Sequence, residues 1–133
     1  MIPVTTTTHY RIRYADTDQM GVVYYGNYAR FYEIGRTEMI RELGLPYREL
    51  EESGVMMPVY SMEIKFRDVL RYDELITIET SVREMPAARM IFDHRILNEE
   101  GRVVNEARVV LVFLDIATRR PTRAPARLLD LLG

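Results

Sequence analysis

Two hydrophobic periodicities divide this chain. Apolar residues recur at a spacing of three to four at Tyr28, Phe31, Tyr32, Gly35, Met39 and Leu43, with Arg30, Glu33, Arg36, Arg41 and Glu42 on the opposite side. That pattern predicts one long amphipathic helix beginning at Asn27, whose side chain suits the N-cap. Gly44 and Pro46 predict its end. A second short helix is expected over residues 46–53, ending at Gly54. Gly35, in the middle of the long helix, costs about 1 kcal/mol relative to Ala and would permit close approach of a sheet.

Elsewhere the period is two. Residues 5–14 are rich in Thr and Tyr, with Ile12 and Tyr14 on one face. Met62, Ile64 and Phe66 alternate with Glu63, Lys65 and Arg67. Ile76, Ile78, Thr80 and Val82 alternate with Thr77, Glu79, Ser81 and Arg83. Met90, Phe92, His94 and Ile96 follow the same rule, and residues 103–115 carry Ala107, Val109, Leu111 and Phe113 on one face. Tyr72-Asp73, Pro86-Ala87 and Asn98 to Gly101 are turn signals between these runs. The order strand, helix, four strands predicts an α+β fold with a five-stranded antiparallel sheet and hairpin connections among the last four strands. The helix covers one face; the other is expected to need cover, for which pairing of two copies is a common solution. The tail predicts a short helix around Leu128 to Leu132.

The 133 residues suit a single domain spanning 1–133. A net charge of -2 offers no general attraction to nucleic acid or to anionic membranes. The absence of cysteine removes disulfides, thiolate nucleophiles and cysteine metal sites. The first residues lack the basic and apolar regions of a signal peptide, and no run is long enough to span a membrane, so a cytoplasmic protein without membrane insertion is expected.

Few residues are left for chemistry. His9 and His94 lack metal-ligand spacing, and His94 reads as a structural histidine in a strand. No Gly-x-Ser-x-Gly elbow or Gly-rich phosphate loop is present, and no cofactor or metal is implied. Most carboxylates read as solvated faces or helix pairs such as Glu33 with Arg36. Asp16 and Asp18 stand apart, because they precede a glycine turn and a helix start. Strand alternation would put them on the same face. A carboxylate beside a helix N-terminus meets positive potential and free N–H donors. The alternative is that one or both carboxylates stabilise the turn through side-chain–backbone bonds.

The stretch Asp16-Thr-Asp-Gln-Met-Gly-Val-Val-Tyr-Tyr-Gly-Asn-Tyr, running into Phe31-Tyr-Glu-Ile-Gly-Arg-Thr-Glu, resembles the signature of the 4-hydroxybenzoyl-CoA thioesterase-like family of hotdog-fold acyl-CoA thioesterases. The resemblance extends through Pro58-Val59 and Phe66-Arg67-Asp68 to Asp73-Glu74-Leu75. It implies a long central helix wrapped by a curved antiparallel sheet. It also implies a homodimer with active sites at the interface, assembled further into a dimer-of-dimers homotetramer. It assigns the catalytic carboxylate to Asp18, as nucleophile or general base, with backbone N–H groups from Val22 to Tyr25 polarising the thioester carbonyl. Substrate contacts are expected at Gly21, Val22, Tyr25, Asn27, Tyr60, Ser61 and Met62, and CoA phosphate contacts at Lys65, Arg67 and Arg89. Many such relatives carry His where this chain has Tyr25, and a phenol with an ordinary pKa of about 10 is a poor base at neutral pH. Two other functions fit the same fold: a non-hydrolytic acyl-CoA or acyl-carrier-protein binding protein, and a dehydratase or hydratase. Hotdog hydratases rely on a His in the active-site segment, and none lies between Tyr10 and Ile91.

Overall fold

In the computed structural model, which describes residues 1–133, strand β1 (Val4–Arg11) leads through two 3-10 turns into helix α1 (Tyr28–Glu42). There follow α2 (Tyr47–Glu52), β2 (Val55–Met56), β3 (Val59–Phe66), β4 (Leu75–Val82), β5 (Arg89–Leu97), β6 (Val103–Val112), β7 (Leu114–Asp115) and α3 (Ala126–Leu132). The main sheet has the order β1-β4-β5-β6-β3, antiparallel throughout, and β2 pairs separately with β7. The predicted α+β class and the long helix on a five-stranded sheet are therefore present. Two expectations need correction. The last four strands are not a simple meander, because β3 pairs with β6 at the far edge and β4 with β1. The 67–74 connection crosses the end of the sheet instead of turning back. Arg67 and Asp68 N–H groups both donate to the Val104 carbonyl, and Leu70 is fully buried beyond them. The run 103–115 is also broken, since β7 leaves the main sheet to pair with β2.

The core lies between α1 and the sheet. Phe31, Tyr32, Met39 and Ile40 of the helix are fully buried, as are Ile76, Ile78, Phe92, Val109 and Phe113. Gly35 sets their spacing. A Cβ there would lie 2.5 Å from Thr80 Oγ1 and 2.9 Å from Ile78 Cγ2, so the helix meets β4 backbone-close. The interior also holds polar groups. The Tyr32 hydroxyl donates to Asn105 Oδ1 at 2.5 Å, and His94 Nδ1 lies 3.1 Å from Thr80 Oγ1. His94 is buried, as its strand position predicted, and burial, followed by repulsion from Arg36, pushes its pKa down to about 3. Arg36 corrects the sequence reading. It is not a surface partner of Glu33 but is buried, and its Nε and Nη1 find no acceptor. Its pKa is lowered by desolvation.

The solvent face of the sheet was expected to need cover. It is instead a lattice of alternating charge. One row across the strands runs Lys65, Glu106, Arg95, Glu79, and the next runs Glu63, Arg108, Asp93. Arg95 bonds Glu79 at 2.8 Å, and Arg108 bonds Asp93 at 3.0 Å. Opposite charges placed across strands favour the pairing, so this face is stable in water. β1 and β3 are the edge strands, and β3 is the one with exposed aromatic residues along it. It pairs only with β6, and Val59, Tyr60 and Phe66 are exposed along it.

Candidate active site

The acidic motif builds a hairpin across one end of the sheet. β1 ends at Arg11, Ile12 turns into the core, and Tyr14–Asp16 close a 3-10 turn. Asp16 and Asp18 thus lie beyond the strand and do not share a strand face, contrary to the alternation argument. Tyr14, expected to face the same way as Ile12, is exposed and packs edge-on against Tyr72 at 5.9 Å. Thr17 pairs with Val23, and the hairpin tip is closed by Gly21 N–H donating to the Asp18 carbonyl at 3.0 Å. Gly21 has φ +78°, a left-handed conformation that glycine adopts without strain. Val22 bridges to Arg71, and Val23 N–H donates to the Leu70 carbonyl, tying the hairpin to the 67–74 connection.

The two carboxylates have different surroundings. Asp16 is buried, and its carboxylate is fully engaged. Oδ2 accepts from the Tyr10 hydroxyl and the Arg13 N–H, both at 2.8 Å, and Oδ1 pairs with Arg30 Nη2. Its carbonyl accepts from the Tyr24 N–H at 2.9 Å and from Asn27 Nδ2 at 2.8 Å. Asp18 is half-buried, and Met20 N–H donates to its Oδ1 at 2.8 Å. Oδ2 of Asp18 takes no hydrogen bond from the protein. A carboxylate held by one oxygen and open at the other can still react.

The chain leaves the hairpin through a 3-10 turn, Tyr25–Asn27, that feeds directly into α1. Within the expected donor stretch, Val22 to Tyr25, Val23 and Tyr24 use their N–H groups internally, whereas those of Val22 and Tyr25 meet no backbone acceptor; the Gly26 N–H, one residue beyond the stretch, is unpaired as well. Asn27 does not cap the helix. Its backbone is already helical, and its side chain reaches back to Asp16 instead. Tyr25 is exposed and packs against Tyr24 at 4.7 Å between ring centroids. Hydrogen bonding with Tyr25 raises the Tyr24 pKa, and burial pushes the Tyr28 hydroxyl up to about 12, so neither is a base at neutral pH.

Within one chain the remaining expected residues do not join this centre. Gly21, Val22, Tyr25 and Asn27 sit with Asp18 at the Phe66 end of β3. Tyr60 and Ser61 lie at the other end of that strand, with Met62 leaning on the core. Six residues of strand, about 20 Å, separate Tyr60 from Phe66. The cationic trio is divided in the same way. Lys65 sits opposite Glu106, Arg67 bonds Glu106 at 2.5 Å, and Arg89 sits opposite Val112 at the far end. A surface depression of about 460 Å³ lies over the charged sheet face and does not include Asp18. No group of acidic or His side chains is arranged to hold a metal ion, and no helix is long and apolar enough to cross a membrane. Sequence reasoning missed Arg30 and Tyr10. A cation in the first turn of a helix opposes the macrodipole, and that was the available signal that Arg30 answers a local acid.

This hairpin-and-helix arrangement has close counterparts. Residues 12–132 match the thioesterase-like superfamily. The chain belongs to that superfamily. A protein of Escherichia coli named acyl-CoA thioester hydrolase YbgC is 35% identical over 115 residues, covering 86% of each chain. Among solved structures, a DHNA-CoA thioesterase from Staphylococcus aureus superposes with a TM-score of 0.86 at 32% identity, over 92% of this chain and 81% of that one. A 4-hydroxybenzoyl-CoA thioesterase, solved as an Asp-to-Asn variant with 4-hydroxybenzoyl-CoA bound, superposes with a TM-score of 0.87 at 25% identity, over 97% and 99%. The hotdog fold implied by the motif is thus the fold of this thioesterase-like chain.

Proposed function

We propose that this chain is an acyl-CoA thioesterase in which Asp18 is the catalytic carboxylate. One observation carries the assignment. Asp18 keeps one oxygen free on the hairpin whose exit leaves the Tyr25 and Gly26 N–H groups unpaired at the start of the α1 segment. The thioester carbonyl oxygen would accept from those N–H groups as negative charge develops on it, and one such donor contributes roughly 3 kcal/mol to the transition state. Asp18 either takes the proton of an attacking water or attacks the carbonyl carbon itself. In the first route hydroxide adds, the C–S bond breaks, and the acid and CoA thiol leave with the transferred proton. In the second a mixed anhydride forms as thiolate departs, and water then cleaves it. A thiolate is a good enough leaving group that no separate general acid is required.

The same reading calls for a homodimer with two shared sites. In one chain Tyr60 and Asp18 sit at opposite ends of β3. Antiparallel pairing of two β3 edges about a two-fold axis reverses those ends. Tyr60 of the partner subunit then comes beside Lys65 and Phe66, at the end where Asp18 sits. The exposed aromatic residues on an otherwise unpaired edge support this. Ser61, Met62 and Arg89 of the partner subunit would approach the site by the same reversal, with Lys65 and Arg67 supplied in cis. A dimer of such dimers is the tetramer the motif implies.

The experiment is thiol release from a panel of short, long and aromatic acyl-CoAs, for the wild type and Asp18→Asn. We expect turnover of at least one class and a loss of about 10²–10⁴-fold in the variant. Release that is unchanged in Asp18→Asn removes Asp18 from the reaction. Thermal stabilisation by acyl-CoA with no release from any member would mark a binding protein instead. Incorporation of oxygen-18 into Asp18 under single turnover identifies the anhydride route.

A further inference from the structure

We propose that Arg30 and Asp16 form a positioning strut that sets the gap between the Asp18 carboxylate and the Tyr25 and Gly26 N–H groups; the proposal rests on the thioesterase reading above. Asp16 is bonded in every direction that matters for that gap. Through its carboxylate it holds Tyr10 of β1, the Arg13 N–H and Arg30 of α1. Through its carbonyl it holds the Tyr24 N–H on the returning arm of the hairpin and Asn27 at the helix entrance. Asp18 lies two residues after Asp16, and Tyr25 directly follows Tyr24. One residue therefore fixes both the reacting carboxylate and the candidate oxyanion donors to a common point.

Arg30 ties that point to the helix. It sits in the first turn of α1, where a cation is disfavoured by the helix dipole, and no acidic residue of that turn compensates it. Its guanidinium carbon lies 5.7 Å from the Tyr10 ring centroid and 5.2 Å from that of Phe31, so two aromatic faces aim it at Asp16. Asp16 is buried, and its charge is compensated only by this partner. Removing Arg30 leaves a buried carboxylate without its countercharge and frees the helix entrance to shift relative to the hairpin. A shift of about 1 Å at a reacting centre can cost on the order of 10²-fold in rate.

The test compares Arg30→Ala and Arg30→Lys with wild type on the best acyl-CoA substrate. We expect kcat to fall about 10²-fold in Arg30→Ala with KM little changed. Arg30→Lys should recover only part of it, because an ammonium lacks the planar fork. Arg30 is half-exposed, so low millimolar guanidinium should restore part of kcat in Arg30→Ala but not in Asp18→Asn. Amide hydrogen exchange gives a second readout that needs no activity. Protection at Asp18, Gly21 and Tyr24 should drop in Arg30→Ala while β4 and β5 amides stay protected. If wild type hydrolyses no acyl-CoA, the functional reading fails, yet the exchange comparison still tests the strut. An unchanged kcat, unchanged hairpin exchange, or loss of protection across the whole sheet overturns the proposal.

Discussion

Replacing Gly35 by Ala should destabilise this protein, although the same change in an exposed helix stabilises. Helix propensity alone favours Ala by about 1 kcal/mol. The new methyl, however, would sit 2.5 Å from Thr80 Oγ1 and 2.9 Å from Ile78 Cγ2, well inside van der Waals contact. Neither neighbour can withdraw, because β4 is paired on both sides, with β1 and β5. Overpacking of this kind costs about 1–3 kcal/mol. Displacing Thr80 Oγ1 also disturbs its bond to His94, worth about 1 kcal/mol. The net expectation is a loss of about 1–3 kcal/mol, read as a lower urea midpoint at unchanged m-value. Thr80→Ala removes the nearer clash, so Gly35→Ala should cost about 1 kcal/mol less in a Thr80→Ala background, a coupling that a double-mutant cycle measures. A neutral or stabilising Gly35→Ala, or strict additivity with Thr80→Ala, refutes the close approach of helix and sheet.

Acid should expose His94. Its folded pKa of about 3 lies below the ordinary 6.5, so the unfolded chain binds the proton first as pH falls. The stability tied to neutral His94 is complete above pH 6.5 and declines as pH falls towards about 3. The slope is at most about 1.4 kcal/mol per pH unit. Urea titrations should show this slope in wild type over and above that of His94→Gln, and parallel curves would contradict it. Glu106→Lys puts a third cation between Lys65 and Arg95 and removes the partner of Arg67, so it should cost about 1 kcal/mol, less in high salt. The double change Tyr60→Lys with Phe66→Lys should yield a folded monomer by sedimentation with little turnover; a dimer with full activity would rule out the β3 seam.

Much of this fold was legible because burial follows period. The helix from Tyr28 onward and the strands around Ile78, Phe92 and Val109 present the apolar faces their spacing predicted, and Gly35 makes the close approach its position suggested. The failures occur where a residue answers a distant partner. Asn27 sits where caps sit, but the Asp16 carbonyl claims its side chain. Arg36 has helix-surface spacing yet points into the core. Strand alternation could not place Asp16 and Asp18, because the strand stops at Arg11 and the chain turns. The pairing of β3 with β6 was hidden because local spacing carries no information on which distant edge a strand finds. Asp18 and a donor stretch from Val22 to Tyr25 were anticipated only through the motif, and which donors stay unpaired, with Gly26 beyond the stretch among them, depends on the hairpin's hydrogen bonds.

The charged sheet face has an electrical consequence. Lys65, Arg83, Arg95 and Arg108 there are matched by Glu63, Glu79, Asp93 and Glu106, arranged in alternation. A balanced lattice of this kind projects almost no field beyond a few ångströms, so an anionic molecule diffusing past it is neither drawn in nor turned away. Long-range steering is left to the charges without an ion-pair partner, cations such as Arg89, Arg119, Arg120 and Arg123 and acids such as Glu51, Glu52, Glu84 and Asp130. Any dependence of the encounter rate on ionic strength will therefore report on unpaired charges of both signs, while this sheet face stays nearly silent.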